Sequence, residues 1–79
     1  MNNESREKLE AIFRAVFELP PGSDLAGLRS GQTEAWDSLA TVSLVAAIES
    51  EFGLSLEADQ MLRITSYEAT ATLVGELTE

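Results

Sequence analysis

The segment from Trp36 to Phe52, WDSLATVSLVAAIESEF, constrains the fold most, because a polar turn leads directly into a long apolar pattern. Its apolar residues recur at the spacing of a helix with one buried face. They are Leu39, Val42, Val45 and Ala46, with Leu44, Ile48 and Phe52 widening the stripe. We therefore predict a helix over residues 38–52 that Gly53 ends.

Two polar residues, Asp37 and Ser38, stand at the start of this helix. Backbone N–H groups there have no intrahelical acceptor, and the helix dipole presents its positive end. Either side chain suits a helix cap, and neither is followed three residues later by Glu or Gln, so no capping box forms. A phosphate group suits the same position. Taken without its context, a serine here is more often a cap than a functional residue.

The remaining patterns predict two further long helices and one short helix, which makes an all-α four-helix bundle with a long first loop. The first helix covers about residues 3–18, ends at Pro20-Pro21-Gly22, and exposes Glu10 and Arg14 as a charged pair. Its apolar stripe comprises Leu9, Ile12, Phe13, Val16 and Phe17. In the loop, Leu25 and Leu28 are predicted to reach the core, with a short helical turn over residues 23–28 as an option.

The second half of the chain contains the short helix, over about residues 58–62, and the last helix. The short helix should direct Leu56, Met61 and Ile64 inward. A capping box, Thr65-Ser66-Tyr67-Glu68, is predicted to begin the last helix. The buried face of that helix is predicted to comprise Tyr67, Ala71, Val74 and Leu77, with Leu73 at its edge.

Composition excludes several classes of function. The 79 residues predict a single domain over 1–79, and a net charge of −9 argues against nucleic acid as a partner. The absence of cysteine and histidine removes thiolate chemistry, the commonest general base and the commonest neutral metal ligand. We therefore expect no catalytic residue and no metal. The polar N-terminus has no signal-peptide core, and no apolar run could span a bilayer, so we expect a cytoplasmic protein.

A set of residues beginning at the polar turn closely resembles the acyl carrier protein family. The matching residues are Asp37-Ser38-Leu39, Thr41-Val42, Leu44-Val45, Ile48-Glu49, Glu51-Phe52, Leu56 and Ile64-Thr65. The resemblance is specific from Trp36 to Ile64 and general before it. It implies a stand-alone carrier with a four-helix acyl-carrier fold. It also implies that a phosphopantetheinyl transferase attaches phosphopantetheine from coenzyme A to Ser38, between Asp37 and Leu39.

The resemblance further implies that the protein carries acyl or aminoacyl groups as thioesters and catalyses nothing itself. Its partners would then be the transferase, a ligase that loads the carrier, and downstream enzymes that use the acyl group. No Lys or Arg occurs between Arg29 and Arg63, so basic surfaces on these enzymes are expected to meet an acidic region. The residues predicted to bind partners are Trp36, Glu49, Glu51, Glu57 and Asp59. We expect a monomer.

Alternatives remain open for several of these residues. The carboxylates could simply form a solvated helix face, and Trp36 could fold over the helix end instead of contacting a partner. Ala40 and Ser43 stand where carriers of fatty-acid synthesis usually bear acidic residues, and Glu34-Ala35-Trp36 replaces their Glu-Asp-Leu-Gly stretch. These departures favour a specialised or aminoacyl pathway. The alternative from another class is an unmodified acidic helical module that only binds proteins.

Overall fold

The protein is described by a computed structural model that covers residues 2–29 and 36–78. Within these residues the chain forms four helices, which are α1 (Asn3–Val16), α2 (Ser38–Phe52), α3 (Ala58–Met61) and α4 (Tyr67–Thr78). Three of them are long, and no β-strand occurs in the described ranges beyond one isolated bridge between Arg29 and Ser66. The prediction of an all-α fold with three longer helices and one short helix is confirmed.

The first helix ends two residues earlier than predicted, at Val16. Glu18 adopts the left-handed conformation, with φ at 55°. The backbone N–H of Leu19 donates to the carbonyl of Arg14 at 2.8 Å, and that of Glu18 donates to the carbonyl of Ala15 at 3.4 Å. Together these bonds form a Schellman motif, which satisfies carbonyl groups at the helix end. The helix therefore ends before the prolines begin.

The core lies where α1, α2 and α4 meet. Its buried apolar residues are Leu9, Phe13, Leu25, Trp36, Ala40, Leu44, Val45, Ile48, Leu56, Ile64, Leu73 and Val74. Phe13 is the centre of an aromatic group, with its ring centroid 5.7 Å from that of Trp36 and 5.2 Å from that of Tyr67. Both contacts have the edge-to-face geometry that aromatic rings prefer. Phe13 thus joins α1 to the segments before α2 and at the start of α4.

The bounds of α2 are those predicted, and the predicted buried face is confirmed for Leu44, Val45 and Ile48 but is wrong for three other residues. Leu39 is 73% exposed and Val42 is 63% exposed, and Ala46 is also exposed. The residues of α2 that are buried are Ala40, Leu44, Val45 and Ile48. Apolar residues occur on almost every side of this helix, so their spacing does not select one face. Packing against α1 decides the orientation. Gly53, with φ at 66°, ends the helix as predicted.

The last helix is capped by Ser66, whereas the predicted capping box placed the cap one residue earlier, at Thr65. Ser66 Oγ accepts a hydrogen bond from the backbone N–H of Ala69 at 2.9 Å. The predicted box at Thr65 is therefore wrong. Leu73, which we expected at the edge of the helix, is only 1% exposed and belongs to the core. Thr70 is fully buried and donates from Oγ1 to the carbonyl of Ser66 at 2.7 Å.

The short helix α3 ends at Met61, one residue earlier than predicted. Leu56 and Ile64 are buried on either side of it, and Met61 is partly buried against the core, as predicted. Leu62 follows the helix and is 79% exposed. The helix therefore connects two core residues and presents little apolar surface of its own.

The first loop is held against α4 at its described end. Leu25 is buried and Leu28 packs against the core, which confirms their predicted role. The carbonyl of Leu28 accepts a hydrogen bond from the backbone N–H of Tyr67 at 3.3 Å. Residues 23–28 contain one turn, at Ala26 and Gly27, instead of the optional helical turn, because the bond from the Leu28 N–H to the Leu25 carbonyl is not continued. Glu34 and Ala35 lie outside the described residues.

Arg14 connects α1 to the same loop and is not the fully exposed residue that we predicted. Its side chain is 24% exposed, and its Nη1 lies 3.5 Å from Glu10 Oε1. Its Nη2 donates to the carbonyl of Ser23 at 2.8 Å. Glu10 Oε2 also accepts a 3.4 Å hydrogen bond from the Tyr67 hydroxyl. Burial raises the pKa of the Tyr67 phenol above its usual value, and the charge of Glu10 adds to the increase.

Candidate functional site

In the polar turn before α2, one residue caps the helix and the next residue presents an exposed hydroxyl. Asp37 is the helix cap, because its Oδ1 accepts a hydrogen bond from the backbone N–H of Ala40 at 2.9 Å. Its carbonyl accepts from the N–H of Thr41 at 3.1 Å. Ser38 is the first helical residue and is exposed. Its hydroxyl forms no hydrogen bond with any described residue.

Trp36 is buried directly before the turn that contains Asp37 and Ser38. It is only 5% exposed, and its ring centroid lies 5.2 Å from that of Phe17 on α1. The indole Nε1 donates to Thr41 Oγ1 at 3.0 Å. This bond connects the residue before the turn to the first turn of α2. Trp36 is therefore the aromatic folded over the helix end, and its assignment as a partner-binding residue is corrected, because burial withdraws it from the surface.

Two grooves flank the first turns of α2. The larger, of about 570 Å³, lies toward α1 and is lined by Ala15, Val16, Phe17, Glu18, Asp37, Leu39, Ala40 and Ser43. The smaller, of about 290 Å³, lies toward α3 and is lined by Thr41, Val42, Val45, Ala46, Glu49 and Met61.

Helical spacing relates Ser38 to the smaller groove. Val42, Val45 and Glu49 follow it by four, seven and eleven residues, so they share its face of the helix. An exposed hydroxyl at a helix N-terminus, with a mainly apolar groove on the same face, fits a phosphate-linked arm that carries an apolar group.

The predicted partner-binding carboxylates lie in different environments. Glu49 is half-buried, and its Oε2 accepts a hydrogen bond from the backbone N–H of Leu56 at 2.8 Å. This bond ties the end of α2 to the segment before α3, so Glu49 has a structural role. Glu51, Glu57 and Asp59 are exposed. The four residues therefore do not form one uniform acidic face.

The cation nearest in sequence to this region, Arg63, is paired with α4. Its Nη1 and Nη2 donate to the two carboxylate oxygens of Glu76, each at 3.1 Å. The hydrogen bond lowers the pKa of Glu76 below its usual value. Among the described residues, no three His, Cys, Asp or Glu side chains are grouped so that they could hold a metal ion. In the same ranges, no helix has the length and apolar character needed to cross a membrane.

Comparison with known proteins places this arrangement in a family. The family described as "Phosphopantetheine attachment site" matches residues 7–74. The chain is 34% identical over 76 residues to acyl carrier protein 1, chloroplastic, of Casuarina glauca, which covers 96% of this chain and 56% of the relative. The chain belongs to the acyl carrier protein family. Acyl carrier proteins 1 and 4, chloroplastic, of Cuphea lanceolata are each 33% identical over 76 residues.

Family membership confirms three of the predictions made from the sequence. Residues 7–74 match the family to which phosphopantetheine is attached, the relatives are acyl carrier proteins, and both findings agree with the predicted covalent phosphopantetheine group and with the predicted role as a carrier. The chain spans about half the length of the curated relatives it matches, with 56% and 54% of the first two covered.

The structure places Ala40 and Ser43, the two positions used in the sequence to favour a specialised pathway, in different environments. Ala40 is 8% exposed, whereas Ser43 is exposed, so only Ser43 presents its side chain to a partner. Leu39 and Val42 are exposed beside Ser38, although their apolar spacing predicted that they would be buried. No sequence signal identifies them, because exposed and buried leucine or valine residues look alike in an apolar helix.

Proposed function

We propose that Ser38 carries the phosphopantetheine group and that the domain presents acyl or aminoacyl thioesters on it to partner enzymes. The observation that supports this most directly is the exposed Ser38 hydroxyl, which takes no part in capping because Asp37 does so. A serine whose hydroxyl is not used by the fold can be esterified without loss of a stabilising hydrogen bond.

The surroundings of Ser38 suit a phosphodiester and a mobile arm. The first amides of a helix have no intrahelical acceptor, so those of Ser38 and Leu39 favour an anion at this position. The hydrogen bond between Trp36 and Thr41 supports the turn that contains Ser38. When bound, the group supplies a terminal thiol for thioester formation, which a chain without cysteine cannot provide. The protein contributes a rigid point of attachment.

The proposed partners are a phosphopantetheinyl transferase, a ligase that loads the carrier, and enzymes that use the loaded group. The exposed carboxylates Glu51, Glu57 and Asp59 are suited to the rim of such contacts, where charges mainly affect association rate. We infer that the pathway is specialised, because Ser43 is uncharged and exposed and because a tryptophan precedes the attachment turn. We also propose that the protein is monomeric and cytoplasmic. The chloroplastic relatives offer an organellar alternative that imaging of the tagged protein distinguishes.

Intact-mass measurement tests the attachment. The protein is incubated with coenzyme A, Mg²⁺ and a phosphopantetheinyl transferase, and the expected result is the gain of one phosphopantetheine. Peptide mapping should place the group on Ser38. No mass gain with several transferases would favour the alternative, an unmodified acidic module that binds proteins.

A loading assay tests the pathway. The modified protein is offered to an amino-acid-activating ligase and, separately, to a malonyl transferase of fatty-acid synthesis. We expect faster loading by the ligase. Replacing Ser43 by Glu, which restores the charge of fatty-acid carriers at an exposed position, should shift the preference toward the malonyl transferase. Faster malonyl loading of the unaltered protein would assign it to fatty-acid synthesis.

A further inference from the structure

The helix that begins at Ser38 is exposed to solvent at its first two residues. Ser38 is exposed, and Leu39 is 73% exposed. Two hydrogen bonds close this turn, because Asp37 accepts the N–H of Ala40 on Oδ1 and that of Thr41 on its carbonyl. The ends of helices open more easily than their centres. The position of Ser38 therefore depends on what keeps this first turn closed.

Trp36 holds the turn from outside the helix, through the hydroxyl of Thr41. This hydroxyl accepts a hydrogen bond from the indole Nε1 of Trp36 at 3.0 Å and donates to the carbonyl of Asp37 at 3.3 Å. We call these two hydrogen bonds the Trp36–Thr41 link. The link encloses Ser38, because it joins residues on either side of it and ends on the carbonyl directly before it.

The indole end of the link is fixed in the core. Trp36 is only 5% exposed, and its ring centroid lies 5.7 Å from that of Phe13 and 5.2 Å from that of Phe17. Packing between these rings orients the indole, so its N–H stays directed at Thr41. The link therefore fastens an exposed turn of α2 to buried side chains of α1.

The start of α4 shows how a comparable turn is held by burial. Thr70 follows the cap Ser66 by four residues, as Thr41 follows Asp37, and its Oγ1 donates to the carbonyl of the cap at 2.7 Å. Ser66 is 9% exposed and Thr70 is fully buried, so packing keeps that turn closed. The corresponding bond of Thr41 is longer and more exposed. At α2 the bond from Trp36 therefore contributes what burial contributes at α4.

We propose that Trp36 is a positioning residue for the modification of Ser38, because the Trp36–Thr41 link keeps the first turn of α2 in the conformation that the transferase binds. The inference rests on the proposed attachment to Ser38. Trp36 itself is buried and acts without touching the transferase. When only a fraction of a protein has the competent conformation, its apparent affinity falls by that fraction. Loss of the link should therefore raise KM for the carrier and leave kcat unchanged.

Steady-state kinetics at saturating coenzyme A, with the carrier as the varied substrate, measure both constants. Trp36→Phe keeps an aromatic ring without the N–H, and Thr41→Val keeps the shape without the hydroxyl. Each should raise KM about fivefold, the effect of one hydrogen bond of ordinary net strength, with kcat within about twofold of the wild type. The double variant should match Thr41→Val, because the indole donor has no acceptor once the hydroxyl is gone. Thr41→Ser, which keeps the hydroxyl, should restore KM to within about twofold.

Amide hydrogen exchange tests the link without the transferase. In Thr41→Val, the N–H groups of Ala40 and residue 41 should exchange about fivefold faster, because they close the first turn. The N–H group of Ala69, at the start of α4, should exchange as in the wild type. Thr70→Val is the matched control for kinetics, since it removes the corresponding hydroxyl from α4 and should leave KM unchanged. Thermal melting checks that each variant is folded at the assay temperature.

Several results would contradict the proposal. A wild-type KM for folded Trp36→Phe, or unchanged exchange at Ala40 in Thr41→Val, would show that the link does not hold the turn for the transferase. Effects of Trp36→Phe and Thr41→Val that add in the double variant would mean that Thr41 contacts the transferase directly. A fall in kcat at constant KM would place the effect in group transfer, and would also overturn it. No modification of the wild type would reject the attachment to Ser38, whereas a modified wild type with unaffected variants would reject only the role of Trp36.

Discussion

Two serines stand at helix starts in this protein, and the structure uses their hydroxyls differently. Ser66 precedes α4, is 9% exposed, and accepts the N–H of Ala69 at 2.9 Å. Ser38 is the first residue of α2 and is exposed, and Asp37 accepts the N–H of Ala40 in its place, also at 2.9 Å. One hydroxyl is a cap, and the other has no hydrogen-bonding partner among the described residues.

The difference between the two serines is one of position. A residue at the cap lies outside the helix, and its side chain folds back onto the amide three residues later. A residue one position further lies inside the helix, where its side chain no longer reaches that amide. A helix start can therefore provide a free hydroxyl when the preceding residue supplies the cap, as Asp37 does for Ser38.

The largest expected effect concerns modification. Ser38→Ala should abolish attachment of phosphopantetheine, because the esterified oxygen is lost. Ser66→Ala and Ser43→Ala should each still gain one phosphopantetheine, since neither hydroxyl is the proposed site. Intact mass after treatment with a phosphopantetheinyl transferase measures all three. A group mapped to Ser43, or modification of Ser38→Ala, would show that Ser38 is not the attachment residue.

For stability, in contrast to modification, the larger effect is expected from Ser66. Ser66→Ala should lower the free energy of unfolding by about 1 kcal/mol, because the cap of α4 is lost. For a domain of this size, that corresponds to a decrease in Tm of about 4–8 °C. Thr65→Ala is the matched control, and it should change stability by less than about 0.5 kcal/mol. Equal losses for Thr65→Ala and Ser66→Ala would mean that the cap is shared between them.

Asp37 should behave as the counterpart of Ser66. Asp37→Ala should lower the free energy of unfolding by about 1 kcal/mol, whereas Asp37→Asn, which keeps a capping oxygen, should lower it by less than about 0.5 kcal/mol. Urea denaturation measures both variants. If Asp37→Ala were as stable as the wild type while Ser38→Ala were not, Ser38 would be the cap, and its hydroxyl would not be free.

The smallest effect tests whether the start of α2 favours negative charge. Ser38→Asp and Ser50→Asp give the same net charge at opposite ends of one helix, and both residues are exposed. The helix dipole should make Ser38→Asp the more stable variant by about 0.5 kcal/mol. The difference should decrease at high salt, because exposed charges are screened. Equal stability at low salt would indicate that the helix start has no preference for an anion.

Much of the fold could be predicted from local patterns. The bounds of α2 agree with prediction, because Asp37 before the helix and Gly53 after it are strong local signals. The end of α1 was less certain locally, since Glu18 adopts a left-handed conformation that usually requires glycine. The start of α4 offered two adjacent candidates, Thr65 and Ser66, and pattern alone selected the wrong one.

Ser38 could be proposed as the candidate residue from the sequence, but the surroundings of Ser38 could not be predicted. Ser38 follows from its place before an apolar helix and from the family resemblance of the residues around it. The exposure of Leu39 and Val42, and the hydrogen bond between Glu49 and Leu56, depend on how α2 is rotated about its axis. The sequence of a helix that is apolar on nearly all sides does not predict that rotation.

The sequence by itself determined the helical class, the limits of α2 and the residue proposed to carry the prosthetic group. The helical class and the limits of α2 depend on capping, helix-ending and apolar-spacing rules, which act over a few neighbouring residues, whereas the proposed attachment residue is what the family resemblance implies. Only the tertiary structure decided which side of α2 faces solvent and that Trp36 is buried against Phe13 and Phe17. The physical reason is that apolar side chains contribute the same burial energy on any face, so the choice between faces depends on the shape of the helices that α2 packs against.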